Sequence, residues 1–464
     1  MRIIHLGVLA GLATLVAGTA QAQIKPLQPP FRCGELGDNH LPEIAPKFRS
    51  DVDLSQNNLV CFAWQDFIYM MWPAIGTPTQ RGVPNPNAKF GAPGPTVWET
   101  FKTADMTFLP GGRNPGPWNL LGAMPTLPGA LARQVDGGAV RHLIQTSKVS
   151  RDVLANLLGD SSIPPDILDE ITQAGGGTLY DLNGYPVYYE VSMNETQYNY
   201  IWTKQLYDAA KQQAYAKDNV IILPGGNDDP KNPKQAGVEI KAAWKVMSDT
   251  EKRSGRFHMV QALLNGSKTP VTVGLVGFHM FISNAGQGIW ATFAQVDNAP
   301  ALLQGQSVAA PADGISYNFY NPGCKVPGTD KPCPYNVKDA DPAQVVQITP
   351  NDKTANELFN KYMAQLLAPY RPWQFYRLVN VQWPLSPQPL SKQTPPAATP
   401  LPDGQPNTKT MVNAVLETFL QKPDVGCLAC HQYAKVAPVG SQKPNYASSY
   451  SFMFKRASTT VQSP

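Results

Sequence analysis

Cys427-Leu428-Ala429-Cys430-His431 is the part of this sequence whose residue types and spacing carry the most specific chemistry. Two thiols three positions apart share one helical turn, where both can reach the vinyl groups of a porphyrin and form thioethers. The next residue then lies under the iron. C-x-x-C-H is the attachment pattern of c-type haem. A neutral imidazole is a good iron ligand, and its second nitrogen is normally held by a carbonyl or carboxylate. These residues therefore imply one covalent haem c on Cys427 and Cys430, with His431 as the proximal axial ligand. A redox dithiol or half of a zinc site would use the same cysteines. A second C-x-x-C or a histidine pair at zinc spacing is absent.

An iron held by His431 has a second axial position. Besides His431 the chain has His5, His40, His142, His258 and His279. If 271–281 is a strand, Val271, Val273, Leu275, Gly277 and His279 alternate onto one face, and Gly277 would let a flat porphyrin approach. Pairing of 256–264 with that strand through the loop Asn265–Pro270 would put His258 on the same face. His279 is thus the first candidate for the distal metal ligand and His258 the second. Met453, His142, His40 and an open sixth position remain as alternatives.

The other cysteines read structurally. Cys324 and Cys333 bracket a short polar loop that a disulfide would close, and Cys33 with Cys61 would tie the start of the mature chain to the first helix. Disulfides need an oxidising compartment, and the N-terminus supplies the address. Residues 1–22 have a basic start, an apolar run and the small-residue pattern Ala20-Gln21-Ala22, the features of a signal peptide cleaved before Gln23. A periplasmic or secreted protein is expected, with no transmembrane segment after cleavage.

The elements that must position these residues form an α+β chain: a large loop-rich domain with antiparallel strands and several helices, then a short helical haem-attachment segment. Residues 58–73 carry Cys61, Trp64, Ile68 and Met71 at helical spacing up to Pro73. Trp64 and Trp72 read as core, with lining of the haem as the alternative. Residues 74–140 read as ordered loops anchored by Trp98 and Trp118, and short helices are expected near 150–158 and 164–173. A hairpin turns on Asn183-Gly184. One helix spans about 194–215 and another begins at the Thr354 to Glu357 capping box. Strands are expected over 238–247, 256–264, 271–282, 289–296 and 375–383. Asp297 ends one of them and reads as a turn residue rather than a catalytic acid.

The resulting division is 1–22 signal peptide, 23–383 large domain, 384–407 proline-rich linker or surface crossing, and 408–464 haem segment. Within the last, Val412, Val415, Leu416, Phe419 and Leu420 mark a helix leading to Cys427. The linker holds eight prolines. A net charge of +4, without a run of basic residues, gives no footing for nucleic acid.

The haem motif resembles those of c-type cytochromes, although only 33 residues follow His431, too few for a class I cytochrome domain. Val238-Glu239-Ile240-Lys241-Ala242-Ala243-Trp244, Gly274–His279 and Trp290–Asn298 are similar to stretches of uncharacterised bacterial exported proteins classed simply as cytochrome c family. The resemblance implies a large N-terminal domain with a C-terminal haem site and carries no substrate. Three functions are open: electron transfer with a redox partner protein, a haem-dependent oxidoreductase or peroxidase-like enzyme with an open sixth site, and a partner-binding module carrying a redox haem. No G-x-S-x-G or H-E-x-x-H motif supports hydrolysis.

Overall fold

The computed structural model describes most of residues 40–120, 140–145, 177–226, 235–302, 316–348 and 354–459, together with Cys33 and Leu36. The signal peptide and the helices expected near 150–158 and 164–173 lie outside the described residues.

The described strands are β1 (Lys102–Thr103), β2 (Val140–Leu143), β3 (Tyr188–Met193), β4 (Val238–Val246), β5 (Met259–Leu264), β6 (Val271–Ile282), β7 (Ile289–Gln295), β8 (Ala301–Leu302), β9 (Gln347–Ile348) and β10 (Tyr376–Gln382). The α-helices are α1 (Gln56–Met70), α2 (Ala104–Thr107), α3 (Glu195–Thr203), α4 (Ala209–Asp218), α5 (Asp249–Ser254), α6 (Thr354–Leu366) and α7 (Cys427–His431). Eight strands form one mixed, mostly antiparallel sheet in the order β1-β3-β4-β6-β5-β2, with β7 between β6 and β10. The α+β class holds. A bridge between Gln145 and Tyr189 returns the far edge to β3, so this end of the sheet curls.

Strand β6 organises the site. Opposite β4 its register steps at Val276: Ala243 faces Gly277, but Trp244 faces Leu275. A bulge of one residue reverses which side chains point up, because strand side chains alternate. Past the bulge, one face carries Gly277, His279 and Phe281 beside Glu239, Lys241 and Ala243. Before it, Val273 and Leu275 point to the other face with Trp244. The expected single face from Val271 to His279 is therefore wrong. The register to β5 does pair Met259 with Gly274 and sets His258 opposite Leu275. The bulge then places His258 on the face away from His279.

The two faces are covered by different parts of the chain. Helix α1 seals the apolar face: Trp64 meets Phe293 edge-on at 5.0 Å between ring centroids, and Phe67 stacks on Phe293 at 4.3 Å. Trp64 and Trp72 are core residues. Cys33–Cys61 clips the chain to α1, and Cys324–Cys333 closes its loop, with Cα separations of 5.2 and 5.5 Å. The polar face is covered by residues 408–456. Their apolar side chains Leu428, Val436 and Phe454 belong to the same core as α1. The described residues of 384–407 are packed rather than free. Leu390, Ala397 and Leu401 are buried, and Leu385 and Ser386 donate to Gln405 and Gly404 carbonyls.

Local differences from expectation have local causes. The 194–215 helix is two helices, because Gln205 has a φ of 57° and Asp208 starts α4 by accepting from Lys211 N. Asn194 caps α3, its side chain accepting from Gln197 N. In the 181–185 turn Gly184 is left-handed while Asn183 is not; the Asp181 carboxylate accepts from Asn183 N and Tyr185 N instead. The helix expected before Cys427 contracts to a 3-10 turn at Thr418–Leu420, since Gln347 and Glu417 take the backbone N–H groups of Ala414 and Asn413. No helix of the described residues is long and apolar enough to cross a membrane.

Candidate haem-attachment site

The C-x-x-C-H segment is helix α7, and β10 fixes where it starts. Gln382 Oε1 accepts from Leu428 N at 2.8 Å, and a Cβ on Gly426 would lie 2.3 Å from Gln382 Nε2. A residue without a side chain lets the chain pass close enough to be held. Cys427 and Cys430, both half-buried, are not disulfide-bonded, whereas the other four cysteines are. Burial pushes the Cys427 thiol well above its usual range, with Glu417 and Cys430 adding to the shift. Reactive dithiols need the opposite shift.

The His431 ring sits between aromatic neighbours, 5.9 Å from Trp290 and 5.0 Å from Phe452. Its Nδ1 lies 2.6 Å from the Tyr450 carbonyl oxygen. A carbonyl can only accept, so the proton is on Nδ1 and the Nε2 lone pair is left available. Burial, with help from Lys241 and His279, pushes the ring down to about 4 despite that carbonyl, so it is neutral at ordinary pH.

Across from α7 the polar face of the sheet presents Lys241 on β4, His279 on β6 and Thr292 on β7, in register. The covering segment adds Glu417, whose Oε2 is 3.2 Å from His279 Nε2. That contact has ion-pair distance without hydrogen-bond direction, so the buried Nε2 has no hydrogen-bond partner. Burial pushes the Glu417 carboxyl up, but His279, Lys241 and the Asn413 N–H outweigh it and hold it at about 2. Lys241, Glu417, Cys427 and His431 are deeply surrounded by protein yet keep residual accessible surface, as residues lining an internal recess do.

These residues fit a covalently held haem: two thiols on one turn, a neutral imidazole with a free lone pair, and a second imidazole, His279, held nearby only by a poorly directed contact with Glu417. Of the histidines weighed in the sequence, His279 is the one brought to this recess. His258 lies on the opposite face, its Nε2 2.8 Å from Glu99 and its ring stacked on Trp373 at 4.6 Å. His142 is on the edge strand β2 and His40 in the irregular segment before α1. Met453 is buried, with its sulfur 3.9 Å from Gln197 Nε2. Asp297 forms a two-pronged pair with Arg256.

The reason offered for Gly277 also changes. A Cβ there would lie 2.5 Å from Val415 and 3.1 Å from Leu416, so Gly277 makes room for the covering segment rather than for a porphyrin. Sequence reasoning missed Lys241, Glu417, Trp290 and Gln382. Alternation over 238–246 could have put Lys241 with His279. Nothing local marks Glu417, which arrives from a segment 138 positions away from His279. No family model, curated protein or solved structure matches the chain.

Proposed function

We propose that this chain is a c-type haem protein that carries electrons in an oxidising compartment, with a redox protein as its partner. What supports the reading best is that two thiols that stay out of disulfides and a neutral His431 with its lone pair on Nε2 border one recess. When bound, haem supplies a one-electron ferric/ferrous couple. The chain's own part is to hold and tune it. Cys427 and Cys430 would hold the porphyrin through thioethers, each S–H adding across one vinyl group with no other product. His431 would hold the iron through Nε2, with the Tyr450 carbonyl keeping the ring from turning. His279 would supply the second imidazole once it turns from Glu417.

Expression with a cytochrome c maturation system should give a haem-staining protein that keeps its haem in denaturant, with a low-spin spectrum. Cys427→Ser/Cys430→Ser should lose covalent haem completely. Haem-free wild-type protein under those conditions would reject the reading. A second reading, a haem enzyme with an open sixth site, draws on the 3.2 Å contact that holds His279 toward Glu417. Rapid carbon monoxide binding by ferrous protein would favour it over electron transfer.

A further inference from the structure

Ser448, Ser449, Tyr450 and Ser451 are all buried, an unusual place for four successive hydroxyl-bearing residues. Two of them are also strained. Ser449 has a φ of 53° and Tyr450 of 62°, and a side chain held in the left-handed region costs on the order of 1–3 kcal/mol per residue. Such strain persists where the surroundings over-determine it.

Here they do. Ser449 Oγ accepts from Leu223 N at 3.0 Å, and Tyr450 Oη donates to the Pro402 carbonyl at 2.5 Å. Ser448 Oγ donates to the Ser451 carbonyl at 2.8 Å, closing the turn on itself. Ser451 Oγ donates to Glu239 Oε2 at 2.6 Å, which ties the turn to the sheet two positions from Lys241. What this geometry achieves is the direction of one carbonyl, that of Tyr450, at 2.6 Å from His431 Nδ1.

We propose that the Ser448–Ser451 turn, latched to Glu239, is a positioning device that sets the orientation and donor strength of His431. The proposal rests on His431 being an axial ligand. A firm Nδ1–H···O=C bond makes the imidazole a stronger donor, which favours ferric over ferrous iron. Glu239 and Ser451 act through the Tyr450 backbone and touch neither iron nor porphyrin. A loosened latch raises the reduction potential and broadens the range of ring orientations.

The test uses the holoprotein with covalent haem. Ser451→Ala and Glu239→Ala should each shift the ferric/ferrous ratio at fixed potential about tenfold, about 59 mV for one electron. The double variant should move no further than either single one, and Ser451→Thr, which keeps the hydroxyl, should restore the wild-type potential and ferric EPR spectrum. Should the variants not fold, NMR of wild-type ferrous protein still decides: the His431 Nδ1 proton should exchange slowly with deuterium. A wild-type potential and EPR spectrum in haem-loaded Ser451→Ala, additive shifts in the double variant, or rapid exchange of that proton would each overturn the latch alone. Failure of the wild-type chain to acquire covalent haem would overturn both the latch and the haem reading beneath it.

Discussion

Two histidine–glutamate pairs lie on opposite faces of one sheet, and their differences separate scaffold from site. On the α1 side, His258 Nε2 is 2.8 Å from Glu99, whose other oxygen accepts from both Thr96 N and Oγ1. The neighbouring charged groups are joined as well, although the Trp98 Nε1–H beside them has no hydrogen-bond partner. Arg141 binds Glu190 through both prongs of its guanidinium, and Trp244 Nε1 donates to Glu190. On the α7 side, His279 Nε2 and Glu417 are 3.2 Å apart with poor direction, and Glu417 keeps accessible surface that Glu99 lacks. A fully hydrogen-bonded, sealed pair maintains shape, whereas a poorly directed and accessible one can give up its contact for a further partner.

The largest effect should come from breaking the satisfied pair. Glu99→Ala leaves His258 and the Thr96 N–H and hydroxyl facing an empty buried position, although Arg141 keeps the residue-99 carbonyl and Glu190, and should cost about 3–5 kcal/mol in denaturant unfolding. The haem spectrum of the molecules that remain folded should be unchanged. A shifted axial-ligand signature in Glu99→Ala would mean that the two faces are coupled and that the comparison fails.

How far the sequence could be read follows the same division. Cys427, Cys430 and His431 lie within five positions, so the motif was legible without a fold. The five strands expected from their residue types hold to within a few residues, whereas the short strands β1, β2, β8 and β9 were missed, β1 within the stretch read as loops. What was lost depended on single-residue events and distant partners. The bulge at Val276 has no composition of its own, and it carried His258 to the wrong face even though the pairing of β5 with β6 was foreseen. Glu417 and the Tyr450 carbonyl come from the covering segment, and backbone carbonyls leave no mark in a sequence. Gly277 was noticed for the right property, absence of a side chain, and given the wrong neighbour.

Acid should sharpen the contrast next. Burial pushes the Glu99 carboxyl up, but His258, Arg141 and the Thr96 N–H outweigh it and hold it below its ordinary 4.5. The unfolded chain therefore binds this proton first as pH falls. Glu99 contributes its full stabilisation above the unfolded value, and that contribution is lost as pH drops through the folded one. Urea titrations across the carboxylate range should give a stability slope up to about 1.4 kcal/mol per pH unit steeper in wild type than in Glu99→Gln. Equal slopes would show that folding leaves the Glu99 carboxyl at its unfolded value, and a shallower slope in wild type would show that the folded protein keeps the proton.

The smallest of these effects should come from lifting the covering segment off the polar face. Gly277→Ala places a methyl 2.5 Å from Val415 and 3.1 Å from Leu416, closer than packed carbons approach. Both neighbours are buried and flanked by anchors: Asn413 Nδ2 donates to Thr292 Oγ1 at 2.9 Å, and Tyr189 Oη donates to the Val415 carbonyl at 3.0 Å. The segment must shift against those bonds, at a cost of about 1–3 kcal/mol typical of an overpacked core. Because Glu417 follows directly, the shift also draws its carboxylate away from His279. Gly277→Ala should thus lower stability modestly and alter the haem spectrum, which Glu99→Ala should not despite its larger cost. A Gly277→Ala protein with wild-type spectrum would show that the covering segment gives way without carrying Glu417, and that the recess is held from the sheet side alone.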